Sequence, residues 1–286
     1  MTIRNVLVSA LLGTVALTAN STVAFAANPT FGIIGPVEWD LPIVPSANVF
    51  LQTGVIQSNN RVYTANGSTA KIPQSHLYEG ISRFAHLFSF NSLPNVGFVW
   101  EVLVPEVRVE GSGTGVSGIG DPLFDVAAYV RPFPNWLVGF QNILSVPVGE
   151  AQVTNNFWVY YPSIISDVTY GKFGLDTTFG VGVPSTRHQS GVPDQTEGTM
   201  YMAEGALRYQ ATPWLAPFVQ YNYQNNNSGH IHDAESTHIP SSHETVLGGG
   251  VKVNFTPGRW LSIWYDRGVS GRNTVQTSWL PSFFTD

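Results

Sequence analysis

The sequence predicts an all-β protein, a transmembrane antiparallel up-and-down β-barrel of about 12 strands. Three observations carry this. Apolar and polar residues alternate over runs longer than ordinary soluble strands, and charged residues make up only 11% of the chain, against ~25% in soluble domains. A proline-marked turn followed by Trp-Leu also recurs, as "PFPNWL" (132–137), "TPWL" (212–215) and "TPGRWL" (256–261).

Residues 1–26 read as a signal peptide, with Arg4 as the positive head, Val6 to Leu17 as the apolar core and Ala24-Phe25-Ala26 as the cleavage site. The mature chain is expected to begin at Ala27. Residues 27–46, "ANPTFGIIGPVEWDLPIVPS", are rich in Pro and Gly. Two readings of them stand: a lead-in to the first strand, or a segment that folds inward as a plug through Glu38, Trp39 and Asp40. Residues 47–286 are expected to form the barrel.

Twelve alternating segments lie near 47–58, 76–90, 96–109, 119–131, 136–148, 157–170, 173–183, 198–211, 214–224, 244–255, 260–267 and 274–284. In the third, Val96, Phe98, Trp100, Val102 and Val104 alternate with Gly97 and Glu101. In the fourth, Phe124, Val126, Ala128 and Val130 alternate with Asp125, Tyr129 and Arg131. Phe173, Leu175, Phe179 and Val181 oppose Gly174, Asp176, Thr178 and Gly182, while Leu247, Val251, Val253 and Phe255 oppose Lys252 and Asn254. Period two with one uniformly apolar face marks a strand with two different environments. Most segments exceed the ~5–6 residues of soluble strands and match the ~9–11 that cross a bilayer at a tilt. Connectors alternate between short turns and longer polar loops, the rhythm of barrels with tight periplasmic turns and long outer loops.

Lipid gives backbone groups no hydrogen bonds, so strands cross it only as a closed cylinder with the apolar face outward. The polar face is then the lumen. It is expected to carry Glu79, Arg83, Glu101, Asp125, Arg131, Gln141, Asp167, Asp176, Glu204, Arg208, Gln220, Lys252 and Asn254, with Asp121 near its end. These residues serve either as an interior salt-bridge network or as a polar path. Inner-face glycines at 97, 139, 174, 182, 248 and 250 are expected to leave space for a bend or a groove. Trp136, Trp214 and Trp260 follow the short turns, where an indole buries its ring in lipid and keeps its N–H among headgroups. Trp158 and Tyr160 are placed in the opposite girdle.

The formal charge of −6 argues against a nucleic-acid partner. With no cysteine in the chain, the exported fold holds without disulfides. Ser117 in "GTGVSGIGD" lacks the glycine of a nucleophile elbow, so no enzyme activity and no cofactor are expected. "GIGDP" (118–122) reads as a turn in which Asp121 bonds its own backbone. His230, His232, His238 and His243 gather with carboxylates in one expected outer loop. Such residues suit zinc or copper, but their spacing follows no fixed metal motif and a solvated loop is the expectation.

The runs "GIGDPLFDVAAYV" (118–130), "VGFQNILSVPVGE" (138–150), "NNFWVYYPSIISDVTY" (155–170), "GLDTTFGVGVP" (174–184) and "MAEGALRYQATPWLAPFVQYNYQNN" (202–226) resemble the outer-membrane "meta-pathway phenol degradation" family of transporters, distantly similar to the long-chain fatty-acid transporter. The resemblance covers roughly residues 80 to 270. It implies a Gram-negative-type outer-membrane channel, both termini periplasmic, that takes up small hydrophobic or aromatic solutes passively. Lipid and such a solute are the implied partners, and the oligomeric state is left open. A general polar-solute porin and a closed structural or surface-interaction barrel remain alternatives. The chain departs from the pattern at its end, where Thr285 and Asp286 follow Phe283 and Phe284.

Overall fold

The computed structural model describes residues 35–63, 69–111, 114–189, 192–232, 237–239, 241–271 and 275–285. The expected signal peptide and the first part of the lead-in lie outside them. Strands follow in the order β1 (Ser46–Tyr63), β2 (Thr69–Phe88), β3 (Val96–Gly111), β4 (Thr114–Ile119), β5 (Leu123–Phe133), β6 (Trp136–Ser145), β7 (Val159–Tyr170), β8 (Phe173–Pro184), β9 (Thr186–Gln189), β10 (Val192–Thr196), β11 (Met200–Tyr209), β12 (Leu215–Asn226), β13 (Gly229–Ile231), β14 (Thr237–Ile239), β15 (Ser242–Thr256), β16 (Arg259–Gly271) and β17 (Val275–Thr285).

Twelve of these close on themselves. β1 pairs with both β2 and β17, and the ring continues through β16, β15, β12, β11, β8, β7, β6, β5 and β3 back to β2, antiparallel throughout. Closure leaves no open edge, which is the condition for a sheet to stand in hydrocarbon. Tight hairpins close one end: Tyr170 pairs with Phe173 across Gly171-Lys172, where Gly171 takes a φ of 59° that a side chain would resist. The longest hairpin is β1–β2, whose pairing runs up to Tyr63 and Thr69, beyond the expected strand ends.

The fourth expected strand is interrupted. β3 pairs through its upper part with β4 and through its lower part with β5, and Gly120-Asp121-Pro122 lies between. Pro122 has no N–H to give a ladder. Asp121 does not bond its own backbone as expected but accepts from Gly149 N (3.0 Å), Thr154 Oγ1 (2.6 Å) and Asn155 N (2.7 Å). It thereby ties the 146–158 loop to the barrel wall.

Two expected loops carry further structure. β9 and β10 from the β8–β11 connection pair with β13 and β14 from the β12–β15 connection in a separate four-stranded sheet, ordered β14-β13-β10-β9. The barrel wall alternates as its sequence does. Phe124 and Val126 are 48% and 55% exposed outward, while Asp125 between them is 3% exposed inward. The inner glycines do not leave open space; they seat large side chains from neighbouring strands. A Cβ on Gly97 would overlap the Tyr129 ring, one on Gly174 the Arg208 guanidinium, one on Gly248 the Asp266 carboxylate and one on Gly250 the Trp264 side chain.

Candidate functional site: the inner face and the N-terminal segment

The inner face is layered because each strand repeats one order of residues. Along β2 it reads Ile81, Arg83, Ala85; along β3 Val99, Glu101, Leu103; along β5 Leu123, Asp125, Ala127; along β11 Met202, Glu204, Ala206. Stacked side by side, these place a polar belt between two apolar clusters. The cluster at the end with the longer loops joins Ile81, Leu103, Leu123, Ile143, Val159, Tyr161 and Met202, with Phe157 from the 146–158 loop. The cluster toward the turns joins Val49, Leu51, Leu87, Phe218, Trp260 and Trp264 with Val37.

Val37 belongs to the N-terminal segment, which is hydrogen-bonded to inward side chains of four strands. Arg83 of β2 donates to both Glu38 oxygens at 3.0 and 3.2 Å. Trp39 Nε1 donates to Thr178 Oγ1 of β8 at 2.9 Å. Arg131 of β5 donates to Asp40 Oδ1 at 2.8 Å and to the Leu41 carbonyl at 2.9 Å, and Tyr129 OH to the Pro42 carbonyl at 2.6 Å. Lys252 Nζ of β15 donates to the Val37 carbonyl at 2.9 Å. Val37 itself takes a φ of 62°, a conformation that costs a β-branched residue on the order of 1–3 kcal/mol and is held here by the Lys252 bond and by complete burial.

Two arginines pair part of the belt's acids, while Glu204 keeps one buried oxygen without a partner. Arg83 reaches past Glu38 to Glu101, with Nε 2.7 Å from Oε1 and Nη2 3.2 Å from Oε2. All three are nearly free of solvent, so their attraction is little screened. Burial nevertheless pushes the Glu38 carboxyl above its ordinary value, outweighing the opposite pull of Arg83. Arg208 bridges Asp167 at 2.7 Å and Asp176 more closely still. Gln141 donates to Asp125 Oδ2 at 2.6 Å and accepts from Ser163 Oγ at 3.1 Å. Gln220 donates to Asp266 across the side-chain-free Gly248.

Beside the segment, Glu204, Asp266, Asp176 and Asn222 line a small, partly open cavity of about 30 Å³. Of the remaining expected lumen residues, Glu79 lies on β2 between inward Leu77 and Ile81, and Asn254 lies low on β15, paired with Trp260. Tyr129 stands on the inner side, as its alternation with Val130 implies, whereas Tyr161, Phe157 and Trp264, also on the inner side, escape sequence reasoning because aromatic residues there match the signature of the lipid face.

On the outer wall, Trp136, Trp214, Trp158 and Tyr160 are exposed, and Trp136 Nε1 donates to Ser166 Oγ at 3.0 Å. Trp260 contradicts its expected place. It is 9% exposed on the inner face, with Lys252 Nζ 4.3 Å from its ring centroid. "TPGRWL" holds one strand residue more before its tryptophan than "PFPNWL", and a shift of one residue moves a side chain to the opposite face. The four histidines are not one group either: His230 lies on β13 with His232 just after it and His238 on β14, whereas His243 pairs with Asn225 in the barrel wall.

A closed antiparallel cylinder with an apolar outer wall and a polar belt within is the architecture of outer-membrane β-barrels. Residues 59–280 match the family described as "Putative MetA-pathway of phenol degradation", and the chain belongs to that family. An outer membrane channel from Pseudomonas putida F1 shares the fold with a TM-score of 0.78 at 18% identity, over 88% of this chain and 100% of that one. The transport unit of the autotransporter AIDA-I from Escherichia coli follows at TM-score 0.52 and 11% identity, over 93% and 97%. The CymD monoaromatic hydrocarbon channel gives 0.50 at 9% identity, over 85% and 89%. At these identities the likeness is one of fold. No curated protein matches the chain.

Proposed function

We propose that the chain is an outer-membrane channel through which small hydrophobic solutes, aromatic ones included, pass passively, with both termini periplasmic and the N-terminal segment as a plug. The observation that carries this is the apolar cluster at the outer-loop end of the lumen, from Ile81 and Leu103 to Tyr161 and Met202. A water-filled porin lines its mouth with polar groups, whereas these side chains favour a solute that leaves water. Membership of the phenol-degradation family supports the same direction. No energy-coupling element is required for a solute moving down its gradient, and the belt beneath the cluster is the polar step it crosses.

One observation favours a second reading, a closed barrel that serves structure or surface contact: Arg83 and Arg208 of the belt are ion-paired with inward acids and, through Glu38, with the N-terminal segment. Uptake by proteoliposomes separates the readings. Labelled toluene entering faster than into empty vesicles, with labelled glucose excluded, is the expected result. Glucose entry alone supports a polar porin, and entry of neither supports the closed barrel.

A further inference from the structure

The four-stranded sheet formed by the outer loops brings together residues that are far apart in sequence. The pairing of β9 with β10 sets Gln195 against Arg187 and Thr196 against Thr186, and just beyond, where the register shifts, the Asp194 carboxylate reaches His188. The pairing of β10 with β13 sets Gln195 against Ile231, and His232 N donates to the Asp194 carbonyl at 2.7 Å, which places Asp194 opposite His232. His188 of β9, Asp194 of β10 and His232, which directly follows β13, therefore stand side by side. The side-chain bonds agree: His188 Nδ1 lies 2.8 Å from Asp194 Oδ2, and His232 Nε2 lies 2.8 Å from Thr196 Oγ1. His230, two residues before His232 and so on the same face, stands beside this row.

The opposite face looks the other way. Arg187 stacks over the Phe157 ring, 5.3 Å from its centroid, above the apolar cluster. The His-Asp-His row thus faces away from the barrel. His188 is 71% and Asp194 45% exposed. An ion can reach this face directly from outside.

We infer that this face is a binding site for a divalent transition ion of the zinc class, held by His188, Asp194 and His232, with His230 beside them. Imidazole nitrogen with carboxylate oxygen is the donor set such ions take. Adjacent strands stand about 4.8 Å apart, so the two histidines flank the carboxylate by one strand spacing each, and Asp194 supplies the negative charge. In the present rotamers the ligands are spent on one another and on Thr196, and the described side chains do not converge on a point. Binding therefore exchanges two hydrogen bonds for three metal bonds by rotating side chains that are free to move in water.

Isothermal titration of zinc chloride into the full chain, folded in detergent micelles, tests the site. The expected result is one zinc per chain, with affinity falling at least tenfold in the His188→Ala/His232→Ala double variant and unchanged in His76→Ala, a histidine on β2 outside this sheet. Heat-modifiable gel migration reports that each barrel is folded. Should the double variant not fold, Asp194→Asn is expected to lose at least fivefold. Absence of zinc binding by the natural chain, or equal binding by the double variant, overturns the inference.

Discussion

Arg83 on β2 grips Glu38 of the N-terminal segment at 3.0 Å while its other edge holds Glu101 of β3 at 2.7 Å. One guanidinium thus joins two wall strands to the chain that crosses the lumen. Replacing it with methionine leaves two carboxylates facing each other without a counter-charge in a dry interior, a loss of about 3–5 kcal/mol. Glu38→Gln removes one carboxylate and leaves the Arg83–Glu101 pair intact, so its cost is expected to be well below that. Urea unfolding of the barrel in lipid vesicles measures both, and equal midpoints for the two variants would falsify this account of the belt.

The Tyr129 ring lies where a side chain on Gly97 would stand, and its hydroxyl is bonded to the segment at Pro42. Gly97→Ala forces that ring aside, at a cost of about 1–3 kcal/mol typical of overpacking. In a Tyr129→Ala background the same change is expected to be nearly neutral, because nothing is left to collide with. A double-mutant cycle read by unfolding measures the coupling; additive losses would mean that the glycine is needed for another reason.

How far the fold is legible in the sequence follows from the physics of each part. Barrel strands are legible because lipid and lumen impose different chemistry on alternate residues, so Phe124, Asp125 and Val126 declare their faces without any partner. The break at Gly120-Asp121-Pro122 is half legible: glycine and proline announce a turn, but the three donors that Asp121 collects come from a loop some thirty residues on. Strands such as β13 and β14, three residues each, are too short to show a period, and their pairing is set by two loops meeting in space. The charges of the belt are legible as inward residues, but which base meets which acid is not, since Arg83 chooses a partner 45 positions away. Trp260 shows the opposite weakness, in which a recurring motif outweighed parity counted along the strand.

The two tryptophan environments are separable by spectroscopy. Trp214 is 55% exposed on the outer wall and Trp260 is 9% exposed within. In single-tryptophan variants reconstituted into brominated phospholipid, the chain retaining Trp214 is expected to lose most of its fluorescence by contact with the bromine. The chain retaining Trp260 is expected to keep most of its own. Strong quenching of Trp260 would return it to the interface and undo the inward register of β16.

Whether the N-terminal segment must move for a solute to pass can be decided by fastening it in place. Trp39 and Thr178 touch through a hydrogen bond of 2.9 Å, and the natural chain has no cysteine, so Trp39→Cys/Thr178→Cys offers a cleavable bismaleimide linker a single pair of thiols. The segment lies inside the barrel between the polar belt and the lower apolar cluster, held by Arg83, Arg131 and Lys252 from three strands. A toluene-sized solute that passes along the lumen meets the segment there. Linking is therefore expected to lower toluene entry into proteoliposomes to the level of empty vesicles, and cutting the linker to restore it. The unlinked double variant controls for loss of the Trp39 bond itself. Unchanged uptake in the fully linked chain would mean that the solute leaves the upper cluster by a way that never meets the segment.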